Sequence, residues 1–184
     1  MHNLKALTIN PETKQIEEID IEMKANTVYT FFNSILIDEL NTLNQHLIYS
    51  DANALSQGKK PFFLGEQLIL GNALIVGQMG MEESDANIPK AELEALIDYD
   101  VNAFYTEVLA LLSQNDINLY RTFELFNGSE TIPLNIEWVL YTFNMADEKT
   151  KEYFLTELKK ALDAGEEMTE HLKKMAQLAL NAAQ

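Results

Sequence analysis

The spacing of apolar residues changes once along the chain, near residue 80, and that change sets the fold class. Before it the signal is short and strand-like. Leu4 to Ile9 is apolar with breaks, and Asn10-Pro11-Glu12 is a turn signal. Gln15 to Ile21 alternates, with Ile16, Ile19 and Ile21 set among Glu17, Glu18 and Asp20; this predicts a hairpin partner with one wet face and a bulge at Glu17-Glu18. Asn26 or Thr27 is placed to cap a short helix through Phe32. Ile35-Leu36-Ile37 and His46 to Tyr49 read as two more strands, with Asn41 to Asn44 as their turn. Ser56 to Pro61 reads as a loop, and Phe62-Phe63-Leu64 and Ala73 to Val76 complete five or six strands ending at Gly77.

After Pro89 the period is helical. Leu93, Leu96, Ile97, Phe104, Val108, Leu111 and Leu112 fall on one side of a helix at about 100° per residue. Asn115-Asp116 breaks it, Leu119 to Phe126 is expected as a short helix, and Asn127-Gly128 stops that. Asn135 to Met145, with Trp138, satisfies both periods and is assigned to helix. Asp147 caps a further helix whose apolar face is Phe154, Leu155, Leu158, Ala161 and Leu162, and Gly165 ends it. Glu166 and Glu167 open the last helix, where the dipole favours anions; Met168, Leu172, Met175 and Ala179 form its buried stripe. The expected fold is α+β: a small N-terminal sheet with one helix (1–78), a linker or long loop (79–90), and an acidic C-terminal helical bundle (91–184).

An ordered set of segments runs through the first half: Lys5 to Glu12, Gln15 to Ile19, Leu47-Ile48-Tyr49-Ser50-Asp51, Phe62-Phe63, and Leu70-Gly71-Asn72-Ala73-Leu74-Ile75-Val76-Gly77. Over residues 4–78 this resembles a small domain of unknown function found widely in bacteria, phages and plasmids. Its members show a strand ending near Asp-Pro, a Tyr-x-Asp strand and a closing Leu-Ala-Gly-x-x-Leu-Ile-x-Gly. Ala54 stands where that family often has glycine, and Leu68-Ile69 where it often has Tyr-Pro. The resemblance implies an intracellular bacterial setting, often on mobile DNA, and brings no catalytic residues.

Composition excludes several classes. The 184 residues contain no cysteine, so disulfide scaffolds, thiolate zinc sites and cysteine nucleophiles are out. Thirteen basic residues face 29 acidic ones, a net charge of −16. Phosphates would be repelled, which argues against direct binding to nucleic acid or to anionic membrane. Arg121 is the one arginine, so guanidinium clamps for phosphate are scarce. No long apolar run follows a basic start, and the most apolar stretch, Phe62 to Val76, is interrupted by Gly65, Glu66, Gln67, Gly71 and Asn72. A cytoplasmic protein is the expectation, and Asn127-Gly128-Ser129 reads as a turn, not a glycosylation site.

Catalytic patterns are not evident. His2, His46 and His171 are far apart; Glu167 and His171 lie i, i+4, yet neither a His-Glu-x-x-His nor a doubled Glu-x-x-His pattern is present. Ser129 lacks a nucleophile elbow, and Gly58-Lys59-Lys60 lacks the earlier glycine and the hydroxyl of a phosphate loop. Gly65, Gly71 and Gly77 suit turns and bulges. Carboxylate pairs such as Glu17/Glu18, Glu82/Glu83 and Asp98/Asp100 arise readily in so acidic a chain, and Trp138, Tyr141, Phe143 and Phe154 read as core. No catalytic residue, metal ligand or cofactor is expected.

The charge is unevenly spread. Residues 82–137 hold twelve acids against Lys90 and Arg121, whereas 147–184 hold eight acids against six lysines. The partner-binding candidates in the acidic block are Glu92, Glu94, Asp98, Asp100, Glu107, Asp116 and Glu124. They suit docking on a basic protein surface, one that normally holds nucleic acid included; ordinary solubilising charge is the competing account. Two alternatives stay open: an enzyme or small-molecule binder with a site between the halves near Tyr49, Phe62, Phe63 and Trp138, and a homodimer built on Met145, Met168 and Met175.

Overall fold

The computed structural model describes all residues except 1, 2, 25, 44, 116, 118, 120, 121, 127–129, 183 and 184. The chain divides into two compact units, Met1–Val101 and Asn102–Gln184. The architecture is mixed, with strands in antiparallel sheets predominating first and helices later.

In the first unit, β1 (Asn3–Asn10) and β2 (Gln15–Glu22) form a hairpin in unbroken register from Asn3↔Glu22 to Asn10↔Gln15. The Asn10 side chain accepts the Glu12 N–H at 2.9 Å, so the Asn-Pro turn forms as its chemistry suggests. The expected bulge at Glu17-Glu18 is absent, because Leu7↔Glu18 and Thr8↔Glu17 pair without slip. The change of parity between Ile16 and Ile19 has another cause: Ile16 packs into one core and Ile21 into a second, on opposite faces of the sheet.

After α1 (Thr27–Phe32) come β3 (Ile37–Leu43), β4 (His46–Asp51), β5 (Pro61–Leu64), β6 (Gln67–Leu70) and β7 (Ala73–Met79). β3 lies later than expected: Ile35 and Leu36 are exposed ahead of it, and Asn41 belongs to the strand, not to a turn. Pairing with β4 decides this, since Ile37↔Asp51 through Leu40↔Ile48 places Asp38 and Glu39 inside the ladder. The main sheet runs β2-β1-β7-β4-β3, and a second runs β6-β5 with a two-residue strand, β9 (Ile97–Asp98).

The stretch expected as a linker, 79–90, is instead part of the first unit. β8 (Glu82–Ser84) folds back on β7 through Gly80-Met81. Beyond it the Asp85 carboxylate accepts the Lys5 N–H at 2.9 Å, and the Ala86 N–H donates to the Lys5 carbonyl at 2.7 Å. The backbone approaches so closely here that a Cβ on Gly77 would stand 2.2 Å from the Asp85 carbonyl oxygen.

Two cores flank the main sheet, as the period-2 geometry of strands requires. On one face Leu7, Ile9, Ile48 and Ile75 meet Phe62, Leu64 and Ile69, with Leu93 of α2 (Lys90–Leu96). On the other, Leu4, Ala6, Leu47, Tyr49, Leu74 and Val76 meet Val28 of α1. Met23, Phe31 and Phe32 pack against this second core beside Val28.

The second unit contains α3 (Ala103–Gln114), β10 (Thr122–Phe126), β11 (Thr131–Asn135), α4 (Ile136–Asn144), α5 (Glu148–Asp163) and α6 (Met168–Ala182). Leu119 to Phe126, expected as a helix, ends in a strand: β10 pairs with β11 from Thr122↔Asn135 to Phe126↔Thr131, burying Phe123 and Leu125 and exposing Glu124 and Phe126. Within Asn135 to Met145, assigned to helix, Ile136–Asn144 is helical, with the Asn135 side chain capping it by accepting the Trp138 N–H at 2.8 Å. Asp147 caps α5 through the Thr150 N–H at 2.8 Å. Phe154 stacks 4.4 Å from Phe143 and 5.7 Å from Phe104, centroid to centroid, tying α5 to α4 and α3.

Candidate functional site

The acidic block is divided between the two units. The apolar run Leu93 to Leu112 is not one helix: α2 ends at Leu96, Ile97 turns extended, and α3 starts only after Asn102. Two short polar devices make the break. The Asp98 carboxylate accepts the Asp100 N–H at 2.8 Å, and the Asn102 side chain accepts the Tyr105 N–H at 3.2 Å. Glu92, Glu94, Asp98 and Asp100 therefore lie in the first unit, and Glu107 and Glu124 in the second; Asp116 lies outside the described residues.

Several of these acids already have local partners. Glu94 pairs with Lys90 at 3.9 Å, Asp100 with Lys14 at 3.6 Å, and Glu107 with Lys159. Lys14 also stands 5.6 Å from the Tyr99 ring centroid, so the β1–β2 turn pins the segment after β9. Glu92 sits in the first turn of α2, where the helix dipole favours a carboxylate. Exposed pairs of this kind are weak, about 0–1 kcal/mol, so their carboxylates can be recruited by a stronger partner at little cost.

A pocket of about 430 Å³ opens beside α1 on the second face of the main sheet. Met23, Val28 and Ile37 supply apolar wall, Tyr29 and Tyr49 aromatic wall, and Lys24, Glu39 and Glu83 charge. Glu39 is the direct cross-strand partner of Tyr49, and β8 brings Glu83 to the Tyr49 hydroxyl, which donates to Glu83 Oε1 at 3.2 Å. Burial, followed by the charges of Glu83 and Glu39, pushes the Tyr49 hydroxyl well above the ordinary tyrosine range. Tyr49 therefore keeps its proton; it is a donor and no base or nucleophile. Lys24 is held by Glu22, Nζ to Oε2 at 2.5 Å.

A second hollow in the first unit, about 280 Å³, is bordered by Asn10, Glu12, Asp51, Gln57, Lys59 and Asn72. Of its two carboxylates, that of Asp51 is already occupied. Asp51 accepts from Ser34 Oγ at 2.6 Å, the Asn53 N–H at 2.9 Å and Gln57 Nε2 at 3.0 Å, which organises the turn following β4.

The remaining residues singled out in the sequence take structural places. Phe62 is core and Phe63 is half-buried on β5; Trp138 is on α4 of the second unit; of this group Tyr49 lines the pocket. Met168 and Met175 are buried within the second unit, and Met145 is 69% exposed. Gly65 and Gly71 adopt positive φ in turns, and Gly58 closes the turn before Lys59-Lys60. Residues 127–129, with Ser129, lie outside the described residues. Among the described residues no group of three or more His, Asp or Glu is arranged to hold a metal ion, and no helix is long and apolar enough to cross a membrane. Comparison with family models, curated proteins and solved structures finds no match to this chain.

Proposed function

We propose that this chain is a non-enzymatic protein-binding protein that docks on a basic partner through carboxylates of residues 82–137. Exposure is the observation that carries this reading: every described acid in that block except Glu137 is exposed, while local cations number few. Such a surface attracts a basic protein over a Debye length of about 8–10 Å and accelerates encounter. A more specific version names the partner's surface. In it the acids stand in for phosphates and occupy a partner's nucleic-acid-binding or nuclease surface.

The test is affinity capture from the native host with mass spectrometry, at low and high salt, using the wild-type chain and a variant carrying Glu92→Lys, Glu94→Lys, Asp98→Lys and Asp100→Lys. A basic partner that is lost with salt and with the variant supports the reading. A partner retained under both conditions overturns it.

A further inference from the structure

We propose that the pocket beneath α1 is an anchor site for an arginine side chain of the basic partner. This rests on the docking reading for the source of the arginine, while the pocket's selectivity for a guanidinium follows from its own chemistry. Charge complementarity selects the occupant. Glu39 and Glu83 line the pocket beside Tyr49, whose hydroxyl donates to Glu83; neither acid is in an ion pair among the described residues, and Lys24, the cation in the same lining, is paired with Glu22. A neutral ligand would leave both charges without a counter-charge. A planar guanidinium offers five donors in a fixed fork and can satisfy two carboxylates together.

The walls fit the rest of that side chain. Val28 and Ile37 offer apolar surface for the methylene stem, and Tyr29, 46% exposed, offers a ring face at which a guanidinium can stack. The volume of about 430 Å³ lies within the range of small-ligand pockets. Lysine is a poorer fit, because a point charge cannot bridge two carboxylates with matched geometry. The site exists because α1 brings Val28 and Tyr29, and β8 brings Glu83, to the same stretch of β3 and β4.

The test uses the full chain and three capped amino acids, N-acetyl N′-methylamides of arginine, lysine and citrulline, followed by NMR of methyl and backbone signals. Arginine is expected to shift Val28 and Ile37 saturably. Citrulline, its uncharged isostere, is expected to bind about tenfold more weakly or worse, because it lacks the charge-assisted bonds. Glu39→Gln with Glu83→Gln should abolish the shifts in a chain whose spectrum is otherwise native, whereas Glu92→Gln with Glu94→Gln should leave them intact. Equal binding of citrulline, shifts confined to residues 92–100, or shifts that survive Glu39→Gln with Glu83→Gln would each overturn the site. If arginine fails to bind here while the lysine reversals at 92–100 still release the captured partner, the pocket falls and docking through the acids stands. If arginine binds as described while the reversals leave the partner in place, the pocket stands and docking through those acids falls.

Discussion

The imidazole of His46 joins two segments that are 41 residues apart: its Nε2 accepts the backbone N–H of Asn87 at 3.2 Å. Its Nδ1 lies 3.1 Å from the Leu43 carbonyl oxygen, an acceptor only, so the proton belongs on Nδ1. The ring is 4% exposed and sits where β4 meets the returning 85–88 segment. Nitrogen-15 NMR of the imidazole should therefore report the Nδ1–H tautomer. His46→Ala should cost about 1–3 kcal/mol by leaving these backbone groups without their ring partner. Denaturant unfolding checks the cost, and a mobile or Nε2–H ring would contradict the assignment.

Gly77 should be the least replaceable of the described glycines. It has ordinary backbone geometry, so Ala is sterically excluded by its surroundings alone: the new Cβ meets the Asp85 carbonyl oxygen at 2.2 Å and Ser84 Oγ at 2.6 Å. Backbone must move, at roughly 2–3 kcal/mol. Gly80 differs, with φ +69° at the hairpin tip and nothing within 4 Å, so Gly80→Ala incurs only left-handed strain of about 1 kcal/mol. Paired urea melts of the two variants should give that order.

The same hairpin shows what the sequence makes legible. Alternation in β1 and β2, with Asn10-Pro11 between them, carries its own register, because the turn and the pattern agree. β8 carries no apolar alternation, as Glu82-Glu83-Ser84 is polar throughout; it forms because β7 extends past β1 and offers it an edge. β10 is the converse case. Leu119, Phe123 and Phe126 suit a helical stripe as well as Phe123 and Leu125 suit a strand, and pairing with β11 decides. The pocket is the least legible feature: Val28, Glu39, Tyr49 and Glu83 come from four elements, and Glu39 enters only once β3 is registered against β4. The helix break that divides the acidic block does have a local signal, the Asp98-x-Asp100 turn followed by Asn102 as cap.

Asp38 and Asp51 should respond to mutation in opposite senses. Asp51 is satisfied by Ser34, Asn53 and Gln57, so Asp51→Asn should lose about 1–3 kcal/mol. Asp38 has a buried Oδ2 with no partner among the described residues, and burial, then the charge of Asp51, raises its pKa above the ordinary carboxylate value. A raised carboxyl contributes its stability below the unfolded-state pKa and loses it as pH rises through the folded one. Asp38→Asn should therefore melt higher than wild type at pH 7, with the advantage closing as pH falls through the raised folded-state pKa toward the ordinary carboxylate value of about 4. An unchanged or lower melting temperature at pH 7 would refute this account.

Salt should stabilise the chain, in contrast to a protein held by surface ion pairs. The ion pairs among the described residues are mostly exposed, as with Lys14–Asp100 and Lys90–Glu94, and contribute about 0–1 kcal/mol each before screening. Against them stands a net charge of −16 whose excess is concentrated in residues 82–137, and repulsion among those acids opposes the compact state. Raising ionic strength from about 0.05 to 0.5 M shortens the Debye length from over 10 Å to a few ångströms and removes more repulsion than attraction. The melting temperature should therefore rise with sodium chloride. Glu82→Gln with Glu124→Gln, two exposed acids in none of the ion pairs among the described residues, should raise it at low salt and reduce that salt dependence. A chain whose stability falls with salt would mean that the surface pairs outweigh the acidic excess, and the carboxylates would then be poorly placed to exchange their lysines for a partner.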